Sequence, residues 1–182
     1  MGEKSTADEV SLSDIPDAGS GLASDIIRLK SGDKVRFHVL SERYLRFGQF
    51  FNDRLKRSLN VPWGTLLEGV KVRTRYAAVV WLIAEKKQAV VVLSAQTAAK
   101  LKAIREENDD SLDGVDITLT RVGSGITDTR YDLIGSPTKY RGEAKGAELI
   151  NLLALFPIAS SQQVADATGA VPVEAVEEEV PF

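Results

Sequence analysis

Between Arg43 and Arg57 the chain interleaves five Lys or Arg residues with four aromatic rings and carries a single acid, Asp53. Cations neutralise phosphates and release their counterions, while aromatic faces stack on unpaired bases. Such stacking contributes roughly 1–3 kcal/mol per base and tolerates any base sequence. A duplex hides its base faces, so rings alternating with cations point to a single-stranded polyanion. The candidates are Arg43, Tyr44, Arg46, Phe47, Phe50, Phe51, Arg54, Lys56 and Arg57. The competing reading makes the rings core and the charges a solvated face; against it, Phe47, Phe50 and Phe51 cannot all turn inward from one strand.

A second set extends the pattern. Lys71, Arg73 and Arg75 recur every two residues, which aligns them on one strand face where they can follow a phosphodiester backbone. Lys34 and Arg36 repeat the spacing earlier in the chain. Trp63 and Trp81 fit either a core or a stacking platform; Trp81 shares the parity of Arg73 and Arg75, which places it toward the same groove. Gly123-Ser124-Gly125 lacks the Gly-Lys-Thr/Ser that completes a phosphate loop and reads as a hairpin connection, with Arg121 and Arg130 on its shoulders.

Other chemistries find no support in the sequence. Cysteine is absent, which removes disulfides, thiolate nucleophiles and Cys-ligated metals. The single histidine, His38, has no visible nucleophile partner, and the acids from Glu106 to Asp110 read as a solvated helix end. The expectation is a non-enzymatic protein without metal or cofactor. No apolar run approaches the ~20 residues of a membrane span. The first residues also lack the basic-then-apolar order of a secretory signal, so the expected location is cytoplasmic.

The mild net charge of −3 conceals a segregation. Six acids against Lys4 occupy residues 1–25, and six acids with no Lys or Arg occupy 146–182. The 22 basic residues between them face 14 acids, so a cationic body lies between anionic ends.

These charges need elements to hold them. Alternation predicts strands over Gly32–Leu40, Val70–Glu85, Val115–Val122 and Thr129–Ile134, the last stopped by Gly135-Ser136-Pro137. The Val run in Gln88–Leu93 predicts a strand covered on both faces. Ser94 is a candidate N-cap for a helix to about Glu107, and the leucines of Glu143–Phe156 have helical spacing. The expected fold is mostly β: a five-stranded Greek-key barrel of the OB type with an inserted helix, an open α+β sandwich being the alternative. The expected organisation is a flexible acidic segment over 1–25, the barrel over 26–156 and a disordered acidic tail over 157–182.

Two segments carry a family resemblance. The terminal Glu177-Glu178-Glu179-Val180-Pro181-Phe182 resembles the acidic tip of bacterial single-stranded DNA-binding proteins. Residues Asp116–Tyr131, with Thr120-Arg121-Val122-Gly123-Ser124-Gly125 at their centre, look like the last hairpin of bacteriophage single-stranded DNA-binding proteins with an OB fold. The resemblance implies a protein that coats single-stranded DNA during phage replication, recombination and repair, in the host bacterial cytoplasm. Its tip would recruit replication and recombination partners, with Phe182 in an apolar pocket and Glu177, Glu178 and Glu179 on a basic ridge; homo-oligomerisation is a further implication. The chain departs from the T-even phage type, whose zinc site needs cysteine. It departs from the bacterial type in its short, Ala/Val-rich linker. An RNA-binding OB protein, or a module docking its basic body onto an acidic protein, remain the alternatives.

Overall fold

The computed structural model describes residues 25–41, 43–124, 128–138 and 148–169. Seven strands form a single antiparallel sheet: β1 (Lys34–Val39), β2 (Leu45–Asn52), β3 (Arg57–Pro62), β4 (Arg73–Leu82), β5 (Lys87–Ser94), β6 (Val115–Val122) and β7 (Arg130–Pro137). Helix α1 (Ala95–Glu106) follows β5, and two short helices, α2 (Leu152–Leu155) and α3 (Ser161–Thr168), end the described chain. Among the described residues no helix is long and apolar enough to cross a membrane.

Strand β4 is the spine. Its residues Arg75–Leu82 pair with β5 on one edge. On the other edge β2 pairs with Arg73–Ala77 and β1 takes over at Val80–Leu82. From β1 the sheet runs on to β6 and β7, while β3 hangs on β2. The expected strands all form, as does the helix capped by Ser94, whose side chain accepts from the Thr97 backbone N–H.

The count and the closure differ from expectation: there are seven strands, and they do not close into a barrel. The two additional strands, β2 and β3, come from the cation- and ring-rich segment and its continuation. The seam stays open because, among the described residues, the outer edge of β5 meets no strand. Its Val90 makes only a parallel bridge to Ile26 and accepts a hydrogen bond from the Ile27 N–H. The strap that follows is pinned from the far side, where Arg121 of β6 donates through Nη1 to the Leu29 carbonyl at 2.6 Å.

Both faces of the central strands are buried. Phe37, Val80, Val91 and Ile117 pack with Leu101 and Ile104 of α1. On the opposite face Phe47, Ala77 and Val90 pack under Phe156, whose ring lies 5.3 Å from that of Phe47 at 27°. A third cluster sets Phe50, Val61 and Leu67 against Val164 of α3. The Val run of β5 therefore divides between two cores, as a strand covered on both faces should.

The cover over Phe47 and Phe50 comes from the chain end, and it revises two expectations. The helix expected over 143–156 is reduced to the single turn α2, capped by Asn151, with residues 139–147 outside those described. The boundary expected at 157 falls inside ordered structure: α3 has a capping box at Ser160 and Gln163 and ends on Gly169 at φ 72°. It is tied to the sheet where Asn52 Nδ2 donates to the Ala167 carbonyl at 2.9 Å and the Ala159 N–H donates to Asn60 O at 2.8 Å.

Strand β7 also runs past its expected stop, through Gly135 to Pro137. Proline is tolerated because β7 is an edge strand. Glycine is required at 135 because a Cβ there would collide with Ile104 Cγ2 and lie 3.3 Å from Val115 Cγ1. Gly135→Ala should therefore push α1 off the sheet and cost about 1–3 kcal/mol in urea unfolding. An unchanged midpoint would contradict this packing.

Candidate nucleic-acid interface

Arg73 and Arg75 lie where β4 pairs with β2, opposite Gln49 and Phe47 respectively. Phe47 is buried beneath Phe156, so Arg75 has an apolar floor at its base. Its Nε approaches Gln49 Oε1 at 3.4 Å. Burial, and then the neighbouring charge of Arg73, push the Arg75 pKa below its ordinary value; Tyr131 acts in the opposite direction. Arg75 remains a cation at neutral pH, one whose protein surroundings undercompensate its charge.

Two depressions meet at that side chain. One, about 350 Å³, is the open seam, lined by Arg28, Leu29, Ser94, Arg121 and Tyr131 together with Arg75. The other, about 410 Å³, is lined by Gln49, Phe51, Lys71 and Arg73 with Arg75 again. Joined through Arg75, they form a trough with five cations and one lining carboxylate, Asp53. Each part presents a ring, Tyr131 at 36% exposure and Phe51 at 57%. Arg121 faces the seam while holding the strap, and its buried Nε has no hydrogen-bond partner.

The expected residues divide. Phe51, Lys71, Arg73, Arg75 and Arg121 come together in the trough. Phe47 and Phe50 are core side chains at 0% and 2% exposure and offer no face for a base. The three rings do not all turn inward, as expected, since Phe51 stays exposed; two of them do because this sheet is covered on both sides by its own chain end. Trp81 has the parity of Arg75 but pairs with His38 at the opposite end of β4, beyond the stretch that Phe156 covers. Lys34 and Arg36 line neither depression, and Arg36 is engaged in an ion pair with Asp116. Arg54 and Arg57 face a separate groove against α3, with Asp166 in its lining. Lys56 lies in the β2–β3 turn at φ 50°, Arg43 is exposed ahead of β2, and Arg130 pairs with Asp132 at 3.7 Å.

Tyr44 and Arg46 belong to a different pocket, on the α1 side of the sheet. It measures about 490 Å³ and is also lined by Trp63, Tyr76, Lys102 and Arg105. The Arg46 guanidinium lies 3.4 Å over the Trp63 ring, a cation–π contact. Comparison with known families, curated proteins and solved structures returned no match, so this geometry carries the functional reading.

Sequence reasoning missed Arg28, Gln49 and Tyr131 in the trough, and Tyr76, Lys102 and Arg105 in the pocket. One signal was available: Lys102 and Arg105, three apart on the helix capped by Ser94, share a face. Arg28 gave none, because its place depends on a strap filling a seam between strands far apart in sequence. The acidic tip Glu177–Phe182, the acidic segment 1–24 and Gly125 of the glycine loop lie outside the described residues. Among the described residues no cluster of His, Asp and Glu has the makings of a metal site.

Proposed function

We propose that the protein binds single-stranded DNA without strong sequence preference, as an open OB-like sheet that lays the nucleic acid along its cationic trough. The observation that carries this reading is the position of Arg75, which turns two shallow depressions into one continuous path of cations with a ring in each part. Phosphates along that path replace water on Lys71, Arg73 and Arg75, while Phe51 and Tyr131 offer faces to unpaired bases. On this reading affinity comes from the phosphate backbone and from stacking rather than from base edges.

The sequence resemblance extends the proposal to phage replication, recombination and repair, with Glu177–Phe182 as the recruiting tip. That tip carries three acids and a terminal aromatic residue, so it is also a competitor for the cationic trough. Deleting Glu177–Phe182 should leave affinity for DNA unchanged or raised while abolishing capture of the partner proteins. A large loss of DNA affinity on deletion would contradict this division of labour.

The test of the reading itself is fluorescence anisotropy with labelled oligo(dT), a mixed-sequence oligomer and the matched RNA. Comparable binding of the two DNA oligomers, each tighter than RNA, is expected. A clear preference for RNA, or discrimination between the DNA sequences by more than about tenfold, would overturn it.

A further inference from the structure

The pocket beside α1 is separate from the trough. Arg46 and Tyr76 pair across β2 and β4 and face α1, whereas the adjacent pair, Phe47 and Arg75, faces the opposite side. Its chemistry is flat rings beneath a cationic rim. Tyr44, Trp63 and Tyr76 supply the rings, with Arg46 stacked on Trp63. Lys102 and Arg105 rise from one face of α1, and among the described residues no carboxylate lines the space.

The rim is held in place. Arg105 donates through Nε to the Asp110 carbonyl at 2.8 Å, and Lys102 Nζ lies 3.7 Å from Glu106 on the solvent side of the helix. At about 490 Å³ the space falls within the ~300–1,000 Å³ range of small-ligand sites. A ligand that satisfies both parts must be planar and aromatic at one end and anionic at the other.

We propose that this pocket seats one nucleotide unit of a single strand, its base against Tyr44 and the Arg46–Trp63 stack and its phosphate on Lys102 and Arg105. The inference rests on the single-strand reading above and adds to it a discrete base pocket on the other face of the sheet. Guanidinium planes and aromatic rings are both stacking surfaces for splayed bases, and a stacked Arg–Trp pair presents one that is already charged. A nucleotide matches better than an acidic peptide because three rings and a guanidinium plane favour a flat heterocycle, with the cations set to one side for a single phosphate.

The test isolates Trp63 as the reporter. In a full-length Trp81→Phe chain, oligo(dT) should quench the remaining tryptophan emission. Adding Lys102→Ala and Arg105→Ala, both at the surface of α1, should abolish the quench and weaken anisotropy-measured binding by about tenfold. DNA binding by anisotropy with unchanged Trp63 emission, or with parental affinity in the Lys102/Arg105 variant, would overturn the pocket and leave the single-strand reading standing. Absence of DNA binding by anisotropy would remove both. Quenching by an acidic, phenylalanine-containing peptide but not by DNA would assign the pocket to a protein ligand and overturn the inference.

Discussion

Replacing Arg73 and Arg75 together by glutamate should reduce affinity for oligo(dT) by on the order of 100-fold or more at low salt. Hydrogen bonds to a charged group are worth about 1.5–3 kcal/mol each, and the reversal removes two cations while adding two charges that repel phosphate. The pair is the right place to strike because Arg75 is, among the described residues, the one side chain common to both parts of the trough. Alanine at both positions should lower the magnitude of the log–log salt slope by about 1.4, two phosphates at ~0.7 each. Stability supplies the internal control. Burial and the proximity of Arg73 disfavour the charged form of Arg75 in the folded protein. Arg75→Met, which keeps the aliphatic bulk and deletes the charge, should therefore leave the thermal midpoint unchanged or raised while binding falls. A protein that keeps a site at some expense to its own stability is expected to behave in this way. A lowered midpoint with unchanged DNA affinity would make Arg75 a structural residue and would contradict the trough.

Phe156→Ala should be strongly destabilising, because it uncovers the side of the sheet away from α1. The ring is 6% exposed, stacks on Phe47 and covers Ala77 and Val90. Deleting a buried phenylalanine side chain costs about 3–5 kcal/mol, of which ring–ring geometry accounts for roughly 0.5–1.5. Urea unfolding monitored by circular dichroism measures it. Loss of that size would establish residues 148–156 as part of the folding unit, whereas a change below about 1 kcal/mol would mean that the sheet is stable without its cover. The same substitution opens the apolar floor on which Arg75 rests, so DNA affinity should fall in step with stability.

Period-2 alternation located β1, β4, β6 and β7, the Val run located β5, and the Ser94 cap located α1, because each of these signals is local. The β2–β3 hairpin escaped notice for a physical reason. Phe47 and Phe50 lie on opposite faces of β2 and are both buried, so its buried rings follow no period-2 alternation. Its second cover is Val164 and its neighbours, more than a hundred residues away in a segment whose composition reads as tail. Gly135 reads locally as a strand stop because the close approach of α1 that demands it is tertiary.

In the candidate site, the alternation of Lys71, Arg73 and Arg75 was legible, and the structure keeps those three together. Their extension to Trp81 rests on parity, and to Lys34 and Arg36 on the repeated spacing in an early strand of the expected barrel. Parity assigns a face but not a position along it, and Phe156 divides that face in two. In sequence Arg121 is a shoulder of the glycine loop. In the fold it also anchors the strap at Leu29, a contact spanning 92 residues.

The most direct test of the central claim is one anisotropy titration, repeated across a salt series, of the full chain with a labelled single strand and with the matching duplex. A strand lying in a trough of five cations should bind more tightly than duplex at every salt concentration. Its log affinity should fall with log salt at a slope between about −2 and −3.5, corresponding to three to five neutralised phosphates. Equal affinity for the two forms, or binding indifferent to salt, would contradict the account.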